Sequence, residues 1–235
     1  MPNKKIKSLK KNTTVIILCG GKGLRLRPLT FNTPKPLIKV DNKSILEHLI
    51  NQFLKNQINN IIIATGYKNQ LFKNLLKKKY KGKNIKIINS GINSDIIYRL
   101  NKCLKFSSEN IITCYGDTLI NININKLIDR YYKNSNKIIM TSYELKSAFG
   151  IVKINNNNDV VNFIEKPNLN IWYNVGYFVF NKKFEEITKK YRTFKNFLKD
   201  MAISKKMKSY KHKGQHITIN TISELEEAKK KIKMF

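Results

Sequence analysis

The chain has 235 residues, 41% of them hydrophobic and 26% charged, with a formal net charge of +31. That length allows one α/β domain with a sizeable core, or at most two small ones, and no apolar run reaches membrane-spanning length. The charge alone would suggest a polyanionic partner, but lysine, asparagine and isoleucine share A/T-rich codons and abound in every segment, so no specific nucleic-acid partner is expected.

Residues 1–12 (MPNKKIKSLKKN) are basic without the apolar core of a signal peptide and read as a disordered leader. Thr13–Cys19 is a β-branched apolar run closed by two glycines, which predicts a buried strand. Ser44–Lys55 places Ile45, Leu46, Leu49, Ile50, Phe53 and Leu54 on one helix face, with Ser44 and Glu47 spaced as a capping box. Strand Asn60–Thr65, basic helix Lys68–Tyr80, strand Asn84–Asn89, helix Ser94–Phe106 and strand Asn110–Cys114 follow. Strands alternating with helices of this length predict right-handed βαβ units and a parallel sheet.

After a helix near Ile124–Lys133 the rhythm changes. Lys137–Glu144, Ile151–Ile154, Val160–Ile164 and Tyr173–Phe180 are strands with short connections, which predicts antiparallel pairing. Helices Lys183–Tyr191 and Phe194–Ser204, strands Met207–Lys211 and His216–Ile219, and a helix from Ser223 complete the chain. Cys19, Cys103 and Cys114 follow no metal or disulfide spacing, and a reducing cytoplasm fits them. The expectation is an α/β fold, a single domain over 13–235 with a mixed sheet and helices on both faces.

The first strand hands directly to Gly20-Gly21-Lys22-Gly23. Glycines after a buried strand let the backbone turn tightly and bring N–H groups against phosphate oxygens. Alone they are weak evidence, because many such runs are merely turns. Arg25 adds a planar fork for phosphate, and Lys35 stands between Pro34 and Pro36, which hold an extended backbone that aims it.

GGKGLRLRPLT followed by PKPL resembles the signature GGxGTRLxPLT…PKP of the sugar-1-phosphate nucleotidylyltransferases, with Leu24 in place of the usual threonine. The resemblance continues through Gly66-Tyr67-Lys68, Tyr115-Gly116-Asp117, Phe149-Gly150, Glu165-Lys166-Pro167 and Asn174-Val175-Gly176-Tyr177. It implies a Rossmann-like fold of the nucleotide-diphospho-sugar transferase type, with a nucleotide-binding half over about 13–135 and a sugar-binding half over about 136–235. It also implies Mg²⁺ as cofactor, an NTP and a sugar 1-phosphate as partners, and a homo-oligomer as a compatible state. Arg25, Lys35 and Asp117 would be catalytic, with Asp117 as metal ligand. Leu18, Gly20, Gly21, Gly23, Arg25, Lys35 and Gly66 would bind the nucleotide; Gly150, Glu165, Lys166, Asn174 and Gly176 would bind the sugar phosphate. Singly, Glu165-Lys166 also fits a solvated pair, Asn174 a turn and Asp117 a cap.

Two departures stand out. The family's second metal-binding aspartate, in a W-x-D-x-G-T or W-x-x-x-D-T context, falls on Thr218 or on Asn220 according to the alignment, and the tryptophan falls on His216. A neutral oxygen can touch Mg²⁺ without neutralising its charge, and His216 is either an aromatic replacement or a metal ligand. Ile92–Leu100 puts Asp95 and Ile96 where the family has a glycine-rich G-T-G-G-x-L, which leaves the choice of base open. The leading expectation is an active Mg²⁺-dependent nucleotidylyltransferase for surface polysaccharide; the alternative is a catalytically weak nucleotide-binding relative.

Overall fold

A strand with apolar residues on both faces must lie between two layers, because either face left in water would cost its burial energy. Thr13–Cys19 is such a strand, and the sheet is arranged around it. The computed structural model describes residues 3–134 and 136–232. Its elements are α1 (Asn3–Lys11), β1 (Thr13–Cys19), β2 (Lys39–Val40), β3 (Lys43–Ser44), α2 (Ile45–Lys55), β4 (Asn60–Thr65), α3 (Asn69–Lys79), β5 (Ile85–Asn89) and α4 (Ile96–Leu104). These are followed by β6 (Asn110–Tyr115), β7 (Thr118–Ile120), α5 (Ile124–Tyr132), β8 (Ile138–Lys146), β9 (Ile151–Ile154), β10 (Val160–Ile164) and β11 (Asn168–Asn181). The chain then runs through α6 (Glu185–Thr188), α7 (Phe194–Ile203), β12 (Met207–His212), β13 (His216–Thr218) and α8 (Ile222–Lys231).

The main sheet has seven strands in the order β12-β8-β11-β6-β1-β4-β5. β6, β1, β4 and β5 are parallel, whereas β11 runs antiparallel to both β6 and β8. The fold is thus the expected single α/β domain with a mixed sheet. Val15 and Ile17 face a core shared with α2, α5 and α8, while Ile16 faces a second core built on α4 and α7. Both layers are required by the pattern of β1 alone. The Ser44–Glu47 capping box forms as the spacing predicts.

Three expectations are corrected. The leader read as disordered is helical over Asn3–Lys11, because Ile6 and Leu9 lie one turn apart and Leu9 packs on the core. The Thr13 hydroxyl donates to the Leu9 carbonyl at 2.7 Å and ties the helix to β1. The helix expected at Lys183–Tyr191 is a 3₁₀ turn followed by the short α6. β11 is longer than expected, and its register shifts between Asn174 and Phe178. There Gly176 adopts φ +82°, a left-handed conformation that glycine adopts at little cost, and the resulting bulge bends the strand towards Tyr115.

Candidate functional site

In an open α/β sheet the helices cover the faces, so the loops at the carboxyl ends of the strands are left to build a cleft. A cavity of about 670 Å³ occupies that position, at the ends of β1 and β6. Leu18, Gly20, Gly21, Gly23, Arg25, Lys35 and Asp117 from the expected set line it. So do Cys19, Tyr115, Arg99 and Asn220. Gly66 underlies it: a Cβ there would collide with the Gly91 carbonyl and the Arg99 guanidinium.

The phosphate loop follows from β1. After Cys19 the chain turns through Gly20–Gly23, and Gly23 at φ +64° caps a 3₁₀ turn over Leu24–Leu26. That turn buries Leu26 and leaves Arg25 exposed towards the cavity. A Cβ on Gly21 would meet only open space, so its backbone is free to approach a ligand.

Lys35 is delivered from a 3₁₀ turn over Lys35–Leu37 that packs against Gly23 of the glycine loop. It is 8% exposed, and its Nζ donates to Asp117 Oδ2 at 2.6 Å and to Asn220 Oδ1 at 3.0 Å. Arg25 Nη2 donates to the same Asn220 oxygen at 3.1 Å. Two cations, one carboxylate and one amide oxygen therefore meet at one point, with more positive than negative charge. An unpaired positive charge in a partly desolvated cleft favours an anionic ligand.

The geometry also decides between the two tail positions. Asn220 enters the cavity, whereas Thr218 pairs with Thr118 in the small β13–β7 ribbon. Asn220 is held by α8, because Glu224 in that helix's capping box accepts from the Asn220 N–H at 2.5 Å. His216 lies apart from this cluster. It sits 5.1 Å from the Tyr143 ring and 5.6 Å from the Tyr173 ring, with Nδ1 3.0 Å from the Tyr173 hydroxyl. Burial, reinforced by His212, pushes its pKa down to about 4, and its surroundings are those of a half-buried ring in an aromatic cluster. No cluster of three or more His, Cys, Asp or Glu side chains occurs among the described residues. The donor set near Asp117 fits a hard ion such as Mg²⁺ in one respect: a single carboxylate and an amide oxygen suffice when phosphate oxygens and water complete the shell.

The expected sugar residues split into two groups. Asn174 Nδ2 donates to the Tyr115 hydroxyl at 3.4 Å, and its Oδ1 accepts from the Gly176 N–H at 2.7 Å, so this pair joins the cavity through Tyr115. Gly150, Glu165 and Lys166 instead sit at the foot of the β9–β10 ribbon and do not line the cavity. Lys166 pairs with Glu165 at 3.6 Å and holds a left-handed φ of +46°. Asp95, where a glycine was expected, caps α4 through the Ile97 N–H and also accepts from the Phe194 N–H at 2.9 Å. Arg99 and Tyr115 were not singled out as site residues. Their role depends on which residues the fold brings beside them.

Comparison with known proteins bears on the family and the fold. The family model described as "Nucleotidyl transferase" matches residues 14–228. The chain is 31% identical over 179 residues to the mannose-1-phosphate guanylyltransferase catalytic subunit beta of Drosophila melanogaster, covering 72% of this chain and 48% of that protein. It is 27% identical over 232 residues to the D-glycero-alpha-D-manno-heptose 1-phosphate guanylyltransferase of Aneurinibacillus thermoaerophilus, covering 94% and 98%. The chain thus spans about half the length of the Drosophila relative but nearly all of the second. A crystal structure from Bacillus anthracis, described as a glucose-1-phosphate thymidylyltransferase, superposes with a TM-score of 0.73 at 18% identity, covering 93% of this chain and 94% of that one. It shows the fold. No described helix is long and apolar enough to cross a membrane.

Proposed function

We propose that this chain, which belongs to the nucleotidyl transferase family, transfers a nucleotidyl group from a nucleoside triphosphate to a sugar 1-phosphate and releases pyrophosphate. The observation that carries this is the meeting of Lys35, Arg25, Asp117 and Asn220 in one cleft, beside a glycine loop. In the reaction a phosphate oxygen of the sugar 1-phosphate bonds to the α-phosphorus, and the bond from that phosphorus to the bridging oxygen of pyrophosphate breaks. No protein nucleophile is needed, so the protein contributes alignment and neutralisation of charge.

Arg25 holds the outer phosphates, and the open backbone at Gly21 donates its N–H to phosphate oxygens. Lys35 stabilises charge at the α-phosphate, where its burial strengthens the interaction relative to water. Asp117 and Asn220 hold Lys35 in place and are the residues that would hold Mg²⁺. When bound, that ion would supply further neutralisation of phosphate charge. Tyr115, Asn174 and Gly176 form the floor beneath the sugar, and Lys166 grips its phosphate from the ribbon. The product, an activated sugar, suits surface-polysaccharide assembly, and the free, buried Cys19, Cys103 and Cys114 suit a reducing cytoplasm.

One observation favours a second reading, a relative that binds nucleotides and turns over weakly. The residue facing Asp117 across Lys35 is the neutral Asn220, which adds no charge to hold a cation. Pyrophosphate release across the four common NTPs and a panel of sugar 1-phosphates, with and without chelator, tests both. Release from one pair, abolished by chelator, supports transfer. Nucleotide binding by calorimetry without release supports the second reading, and neither binding nor release defeats both.

A further inference from the structure

Arg99 projects from the first turn of α4 into the cavity wall, and it is 4% exposed. Its Nη1 donates to the Thr65 carbonyl at 3.0 Å and to Ser90 Oγ at 2.8 Å, and its Nη2 donates to the Ile92 carbonyl at 3.1 Å. All three acceptors are neutral. A guanidinium carries five N–H donors, so these bonds leave two. Burying a cation without a hydrogen-bonded carboxylate is costly; the charge of Asp95 offsets part of that cost, and a ligand accepting from the two remaining donors would offset more.

The surroundings narrow the ligand. The guanidinium lies against Gly20 and Gly66, where any Cβ would overlap it, so both glycines leave room for it. Leu18, Ile92, Ser94 and Ile96 complete this end of the cavity, which is apolar apart from Ser94 and Arg99 itself. Arg25, Lys35 and Asp117 occupy the other end. β4, whose end carries Thr65, is two strands from β6, which leads to Asp117. The guanidinium lies between Thr65 of β4 and Gly20 at the end of β1, so it stands one to two strand spacings from β6, about 5–10 Å. The arrangement suits a flat base at the Arg99 end with its phosphates at the Lys35 end.

We propose that Arg99 determines base specificity, its two spare donors reading a base edge with two adjacent acceptors. Guanine offers O6 and N7, and cytosine offers O2 and N3. Adenine and uracil present an acceptor beside a donor, which would leave a buried donor unpaired and set an N–H against the guanidinium. This assignment rests on the nucleotidyl-transfer reading and adds to it a choice of nucleotide.

Calorimetric titration of the full chain with GTP, CTP, ATP and UTP tests it. The better of GTP and CTP is then compared with its 7-deaza or 3-deaza analogue, which lacks one acceptor, and all titrations are repeated on Arg99→Lys. GTP or CTP is expected to bind at least roughly tenfold tighter than ATP and UTP, and its deaza analogue to lose about tenfold. Arg99→Lys, which keeps the charge and loses the fork, should flatten the preference. Strongest binding of ATP or UTP, equal binding of all four, or an unchanged preference with the analogue or in Arg99→Lys would overturn the assignment while leaving nucleotidyl transfer standing. Absence of binding by any NTP would defeat the functional reading as well. Should Arg99→Lys fail to fold, the analogue titration on the unaltered chain decides.

Discussion

The loop-and-lysine end of the cavity and the β9–β10 ribbon carry the two halves of the proposed site, yet the core fixes only the first of them. Lys35 stands between buried Pro34 and Pro36 and bonds residues from two distant segments, Asp117 and Asn220. The ribbon is two strands long in width, and every residue of β9 and β10 is exposed. Its Val152, Ile154, Val160 and Phe163 pair on one face without cover, beside Phe149 at 77% exposure. An isolated two-stranded hairpin is marginal in water, and an uncovered apolar face of this kind suits contact with substrate or a further chain. The cationic cluster is thus prearranged by the core, whereas the proposed contact of Lys166 with the sugar phosphate is left to a lightly held segment.

Four substitutions or measurements would break or sharpen that contrast. Lys35→Ala should have the largest effect, a loss in kcat of at least roughly 100-fold, because it removes a prearranged charge from the reacting centre. Steady-state pyrophosphate release measures it, and a change confined to KM would show that Lys35 only binds. Lys166→Ala should raise KM for the sugar 1-phosphate by about tenfold, the usual scale for a lost charged hydrogen bond, and leave NTP affinity unaltered. A parallel loss of NTP affinity would mean the two ends are not separate. Asn220→Asp should raise Mg²⁺ affinity several-fold, read as the concentration giving half-maximal turnover. A fall in activity would count against the weak-relative reading.

The smallest effect concerns His216. Its folded pKa, about 4, lies below that of the unfolded chain. Above about pH 6.5 both states are neutral and stability is full; as pH falls from there towards 4, only the unfolded state takes up the proton. This site should therefore lose on the order of 2 kcal/mol of stability over that window, and His216→Phe should flatten that part of the pH–stability profile in denaturant melts. An identical acid profile in His216→Phe would show that other groups dominate.

Much of this architecture was legible in the residues. β1, β4 and β6 were readable because each is a short, isoleucine-rich apolar run closed by glycine or a turn, as a strand covered on both faces requires. The α1 helix was not, since its basic composition hid the one-turn spacing of Ile6 and Leu9. β7 is three residues long, too short to show a period, and it exists because it pairs with β13, whose strand at His216–Thr218 the sequence does show. Within the site, Arg25, Lys35 and Asp117 were legible from motif and spacing. The choice between Thr218 and Asn220 was not, because two alignments were equally good and only the packing of α8 puts Asn220 in the cleft. Arg99 was hidden for a similar reason: its position matters through Gly20 and Gly66, which are far from it in sequence.

In the proposed reaction the cluster around Lys35 drives nucleotidyl transfer. Pyrophosphate release by the unaltered chain and by Lys35→Ala, assayed side by side with Mg²⁺ and the best NTP and sugar 1-phosphate pair, addresses it most directly. Release by the unaltered chain and a drop of at least roughly 100-fold in the variant are expected if Lys35 acts at the α-phosphate. Equal release by the two proteins, or none by either, would contradict it.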